Sequence, residues 1–342
     1  MLHPITEQPF NAETPIHVLR SKPTPVESFY VRNHFDVPKV NADHYEIIVN
    51  GAVALPIEYS PDQLKEFPEK NLAMVMECAG NGRSSMKPKI NGTPWDLGAI
   101  SQAEFIGTSL RNILKEVKLA DDVREIKFSG ADRGKLHTGE TENYIRSLPV
   151  EIAQHPDTMI VWQMNGQELT PQHGYPLRLI VPGWYGMASV KWLNEITALT
   201  QPFEGFFQSR EYVYIGEEGI PDQTPVTKMR VRSIITQPVT GTMLRNESIN
   251  LSGIAWSGVG KVDTVELSFD HGENWLTATL EPAPTSYAVT PWDFDWHPKG
   301  AGQYTIISRA TDSAGNIQPL NSVWNKGGYG NNSVHQINIT VE

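Results

Sequence analysis

A single cysteine, Cys78, stands in a chain of 342 residues, inside Glu77-Cys78-Ala79-Gly80-Asn81-Gly82-Arg83. Three kinds of work are open to it: packing as a small buried thiol, nucleophilic attack, or service as a lone thiolate on a metal. The two glycines let backbone approach a partner closely, and Arg83 brings a cation that favours the thiolate. One nucleophilic scheme fails on spacing. A loop that rings a phosphate with its amides needs one residue more than the four that separate Cys78 from Arg83. Glu77 beside the thiol also raises its pKa and repels an anion. With one cysteine there is no internal disulfide, no thiolate-rich zinc or iron–sulfur site, and no two-cysteine attachment of a c-type haem.

Three further clusters carry chemistry. Tyr30-Val31-Arg32-Asn33-His34 sets a cation beside an imidazole. His173-Gly174-Tyr175-Pro176-Leu177-Arg178, followed by Ser189-Val190-Lys191-Trp192, offers His, Arg and Lys around a glycine-rich turn, which suits a phosphate or another polar anion. Ser209-Arg210-Glu211-Tyr212 is the third. Each residue taken singly is commonly a solvated charge or a satisfied core histidine. Their concentration in one part of an acidic chain argues for a site.

The elements that must hold these residues are short. His44–Val49 alternates as a strand and ends on the turn Asn50-Gly51. Leu72, Met74 and Met76 alternate into the Cys78 loop, and Leu110, Ile113, Leu114 and Val117 fall at helical spacing within Ser109–Leu119. Strands are expected from Ile126, over Thr158–Met164 and over Leu177–Val181, with a short helix over Leu148–Ala153. Residues 1–27, with Pro4, Pro9, Pro15, Pro23 and Pro25, read as an extended arm. Beyond about residue 225, alternating runs such as Val265-Leu267-Phe269 and Tyr304-Ile306-Ser308, broken by turns, give the spacing of a β-sandwich. The expected domains are 1–223 and 224–342. The second, without clustered His, Asp or Cys, is expected to serve structure or assembly.

Composition sets outer limits. Gly and Pro together make up about 15% of the chain, which favours turns and short strands over a helical bundle. Against 39 Asp and Glu there are 28 Lys and Arg, a formal net charge of −11, which excludes non-specific nucleic-acid binding by a cationic surface. No apolar run is long enough to span a membrane. Met1-Leu2-His3-Pro4 lacks the charged start and apolar run of a secretion signal, so the sequence as given reads as cytoplasmic, or periplasmic if a leader has been removed.

Taken in order, the motifs resemble the sulfite oxidase family of molybdenum enzymes. The resemblance rests on Arg32-Asn33-His34 with Val37-Pro38, Glu77 to Arg83, Pro94-Trp95-Asp96-Leu97-Gly98-Ala99-Ile100-Ser101, His173 to Arg178, and Ser189-Val190-Lys191-Trp192-Leu193. It implies an α+β protein: a mixed α/β molybdopterin-binding domain followed by an immunoglobulin-like dimerisation sandwich. It implies Cys78 as the thiolate on molybdenum, beside one molybdopterin and without haem. Tyr30, Val31, Arg32, Asn33 and His34 would hold the pterin and its phosphate, together with Asp132, His173, Arg178, Ser189, Val190 and Lys191. Arg32, Arg83, Trp95 and Tyr212 would form the substrate pocket, Tyr212 lying 21 residues after Lys191.

The implied reaction is two-electron oxygen-atom transfer, sulfite to sulfate, with electrons leaving to an external acceptor such as a basic cytochrome c. The alternative on the same cofactor is reduction of nitrate or another oxyanion or S-oxide; a cofactor-binding protein without turnover is the non-enzymatic alternative. A homodimer is implied by the second domain. One position departs from the pattern: Gly327, in Val323-Trp324-Asn325-Lys326-Gly327-Gly328-Tyr329, stands where the family places an arginine in the anion pocket. One charge-assisted contact is worth about 1.5–3 kcal/mol, so sulfite is expected to bind less tightly unless another cation, such as Lys326, replaces it.

Overall fold

A computed structural model describes residues 1–342. Two five-stranded sheets make up the body of the first domain. In one, Glu69–Glu77 pairs antiparallel with Ile100–Ser109, which pairs with Met159–Met164; Met159–Met164 also carries Gln167–Glu168 and Arg178–Ile180. The other runs Ile57–Tyr59, Ile47–Gly51, Leu193–Leu199, Glu125–Lys135, Thr141–Pro149, with Leu193–Leu199 parallel to Ile47–Gly51. The helix Leu110–Val117 buries Leu110, Ile113, Leu114 and Val117, the four positions its periodicity selects.

Several expectations shift by a few residues. The first strand begins at Ile47, after a 3-10 turn over Ala42–His44, and ends at Gly51, whose φ of 87° and contact with Ala198 admit only glycine. The short helix occupies Val150–Ala153, because Leu148 and Pro149 complete a strand. Residues 1–27 are more ordered than an arm: His3–Glu7 and Phe10–Glu13 form a hairpin, and Asn11 ties its turn by donating to Pro9 O.

The second domain is a sandwich of a four-stranded and a five-stranded sheet. Ile235, Leu251 and Trp292 from one sheet meet Val265, Leu267, Ile306 and Ile337 from the other in a separate core. Val213–Tyr214 pairs with Thr224–Pro225 across the expected boundary. A buried ion pair joins the domains: Arg232 Nη1 lies 3.3 Å from Glu77 Oε1, both side chains 3% exposed.

Candidate active site

Cys78 follows the last residue of Glu69–Glu77, and its N–H donates to Ala99 O at 2.9 Å. The loop then turns twice, Asn81 N–H donating to Cys78 O and Arg83 N–H to Gly80 O. Gly82 is required there on two counts: its φ is 84°, and a Cβ would sit 2.8 Å from an Arg232 nitrogen. Glu77 accepts from Asn81 Nδ2 at 3.0 Å and from Trp256 Nε1 at 2.9 Å, so the second domain grips the loop that presents the thiol.

Two cavities meet at Cys78. The inner one is lined by Tyr30, Arg32, His34, His173, Arg178 and Lys191, with Tyr144 and Tyr212. The outer one, about 770 Å³, is lined by Arg83, Trp95, Arg210, Lys326, Gly327 and Tyr329, among others. Arg32, Cys78 and Tyr212 face both. His34 Nε2 and the Tyr212 hydroxyl are 2.7 Å apart, and the His34 ring stacks on Tyr144 with centroids 4.6 Å apart.

The inner cavity gathers cationic groups that the protein only partly answers. Arg178 donates to His173 O at 3.0 Å and Ser189 O at 3.2 Å, while its buried Nε has no partner. Lys191 Nζ donates to Asn33 Oδ1 and to Gln172 O. Burial lowers the Lys191 ammonium well below its ordinary range, with Arg178 adding to it, and lowers Arg178 to about 10. Burial also keeps His34 and His173 unprotonated, the latter lowered to about 3. Asp132 is placed by the bulge between Ser129 and Arg133; its Oδ1 is unpartnered, and burial raises its carboxyl to about 7 against the pull of Lys191.

Unpartnered donors and crowded cations fit an anionic ligand rich in acceptors, as a pterin phosphate is. Open room in the inner cavity is about 60 Å³, which an organic cofactor exceeds. At the thiol, the nearby cations Arg32 and Arg83 lower the pKa as expected. Burial outweighs them and pushes the Cys78 thiol up.

Not every residue singled out from sequence reaches a cavity wall. Asn33, Asp132, Ser189 and Val190 stand behind the inner wall, where Ser189 Oγ accepts from Val181 N–H at 3.1 Å and Val190 pairs through its backbone with Leu179. Val31 bridges to Ala12 and faces a separate shallow groove. Trp95 is fully buried against the outer cavity, and its Nε1 lacks a partner. Arg83 lies in the outer cavity but commits Nε to Gly327 O at 3.0 Å and Nη1 to Thr93 O at 2.9 Å. Among the residues that the sequence reading did not assign to the site are Tyr144, His137, Tyr329, and Arg146, whose guanidinium lies 5.5 Å from the Tyr212 ring centroid. The second domain, expected to serve structure or assembly apart from the segment around Gly327, supplies Lys326, Gly327 and Tyr329 to the outer cavity.

A cationic inner cavity and an open outer one meet at a thiol, and comparison with known proteins supplies the class of the site. Residues 34–207 match the family described as oxidoreductase molybdopterin binding domain, and residues 223–342 match the Mo-co oxidoreductase dimerisation domain. The chain therefore carries the domain pair of the molybdopterin-binding oxidoreductases. More particularly, the chain belongs to the sulfite oxidase family: it is 31% identical to the sulfite oxidase of Arabidopsis thaliana over 97% of this chain and 92% of that one. It is 32% identical to the mitochondrial sulfite oxidase of Rattus norvegicus, covering all of this chain and 66% of the rat protein. The chain thus spans a little under two thirds of the rat protein. The solved structure of the sulfane dehydrogenase SoxCD from Paracoccus pantotrophus superposes with a TM-score of 0.83 at 27% identity, covering 97% of this chain and 84% of that one. No helix is long and apolar enough to cross a membrane.

Proposed function

We propose that the chain oxidises sulfite to sulfate, with Cys78 as the protein ligand of molybdenum. The observation that carries this reading is the position of Cys78 at the junction of the cationic inner cavity and the open outer one. Relatives named sulfite oxidase, alike over nearly the whole chain, support it. When bound, the molybdenum–molybdopterin group supplies two-electron oxygen-atom transfer to sulfur. Arg178, Lys191 and the N–H-rich turns around His173 and Ser189 would hold the pterin's anionic end.

The chain's own residues do the rest. Arg32, facing both cavities, orients an oxyanion above Cys78 and offsets its charge. Arg83 offers its remaining nitrogen to the same anion. Burial raises the Tyr212 hydroxyl to about 12, so it stays a donor at neutral pH and directs its hydrogen bond to a substrate oxygen or to His34. Electrons pass to an external acceptor, for which a basic cytochrome c complements the net charge of −11. The second domain pairs two chains in a homodimer.

Sulfite-dependent reduction of ferricyanide is the test. Turnover that requires Cys78 supports the reading; no turnover in molybdenum-loaded protein removes sulfite as substrate. Dye-coupled nitrate reduction in its place would establish the reverse chemistry.

A further inference from the structure

Gly327 and Tyr329 shape the outer cavity together. A Cβ at Gly327 would lie 2.3 Å from Tyr329 Cε2 and 2.5 Å from Cδ2, so the tyrosine ring occupies the space that a side chain at 327 would need. The ring is fixed from several sides. Its centroid is 5.2 Å from that of Tyr212, the Arg83 guanidinium lies 5.3 Å from it, and its hydroxyl donates to Glu211 at 3.3 Å. The segment that carries it is itself anchored, Gly330 N–H donating to Ala79 O at 2.8 Å and Lys326 N–H to Ile215 O at 2.9 Å.

Arg32, Arg83, Arg210 and Lys326 bring cations to the cavity, and Tyr329, Val213 and Ile215 share its wall. Its volume of about 770 Å³ lies within the range of roughly 300–1,000 Å³ that houses organic ligands, and exceeds what a bare four-atom oxyanion fills. Arg83 donates Nε to Gly327 O and Nη1 to Thr93 O, which leaves Nη2 to face an oxyanion.

We propose that Tyr329 is a specificity residue and that this pocket takes a sulfur oxoanion bearing an organic group, an alkyl or aryl sulfinate, in preference to sulfite. The proposal rests on the oxygen-atom-transfer reading above and narrows its substrate class. The sulfinate sulfur lone pair gains one oxygen that derives from water: RSO2− and H2O give RSO3−, two protons and two electrons, the electrons passing to two one-electron acceptors. The single negative charge of the head meets Arg32, and the R group lies against Tyr329.

Benzenesulfinate and sulfite are compared in ferricyanide-coupled turnover of the molybdenum-loaded protein, and binding of the products benzenesulfonate and sulfate is measured by calorimetric titration without turnover. The wild-type protein is expected to favour benzenesulfinate in kcat/KM. An aromatic contact is worth about three- to tenfold in affinity, so Tyr329→Ala should reduce the benzenesulfonate-to-sulfate affinity ratio by that factor, and Tyr329→Phe should retain it. Gly327→Ala should lower the ratio by displacing the ring. A wild-type preference for sulfite overturns the proposal whether or not the variants fold, as does a ratio unmoved in folded Tyr329→Ala. Sulfite turnover without benzenesulfinate turnover sinks this inference alone; loss of both with molybdenum present sinks the reading beneath it.

Discussion

Replacing Arg232 by methionine tests whether the second domain holds the thiol loop. Arg232 Nη1 donates to Glu77 Oε1 at 3.3 Å and to Asn81 O at 3.2 Å, in a site that buries both side chains. Methionine keeps much of the volume but leaves the Glu77 carboxylate without its cation. Losing one partner of a buried pair costs about 3–5 kcal/mol. Asn81 and Trp256 still donate to Glu77 here, which places the expected loss near the lower limit, at about 3 kcal/mol. Burial itself pushes the Glu77 carboxyl above its ordinary range, and the Arg232 cation opposes that shift. Denaturant unfolding of Arg232→Met and of the double variant with Glu77→Gln supplies the comparison. The double variant should recover part of the loss, because the unpaired charge has gone. A loss under about 1 kcal/mol, or a double variant no better than the single, would refute the reasoning.

Two other perturbations follow from the same contacts. His335 Nδ1 accepts from Ile235 N–H at 2.9 Å, and burial lowers its pKa to about 4. An unfolded histidine binds its proton near pH 6.5, so the stability from the neutral ring is present above that pH and is lost as pH falls towards 4. Unfolding midpoints should show up to about 3 kcal/mol less loss between pH 7 and pH 4 in His335→Asn than in wild type; equal losses would contradict this. At the inner cavity, a Cβ on Gly186 would lie 2.6 Å from the Tyr30 hydroxyl and 3.2 Å from Met76 Cγ. Gly186→Ala should therefore fold with a penalty of about 1–3 kcal/mol and retain several-fold less pterin, measured by fluorescence of the oxidised cofactor; full retention would show that this wall does not face the cofactor.

Legibility in the sequence followed the range of the interactions. The helix over Leu110–Val117 was readable because one face is buried at helical spacing, and the strand ending at Glu77 because Leu72, Met74 and Met76 alternate, although Val75 and Glu77 on its other face are buried too. Cys78, Arg32, His173, Arg178 and Lys191 were readable as clusters in short ordered motifs, although their convergence from separate strands and loops was not. Arg146 and Tyr144 gave no such signal. They lie on Thr141–Pro149, and their approach to His34 and Tyr212 depends on how that strand pairs with Glu125–Lys135. Tyr329 was visible in the sequence only as the neighbour of Gly327; its place beside Tyr212 is set by docking of the second domain. The hairpin at the N-terminus was hidden by prolines, which read as an extended arm, while Pro9 in fact sits in the turn between its strands.

The most direct test of the account is metal and pterin analysis of purified protein made in a host that synthesises molybdopterin. The account predicts about one molybdenum per chain at the one thiol, lost in Cys78→Ser protein that keeps its fold. Normally folded wild-type protein without molybdenum, or a Cys78→Ser variant that retains it in full, would contradict the claim that Cys78 holds the metal.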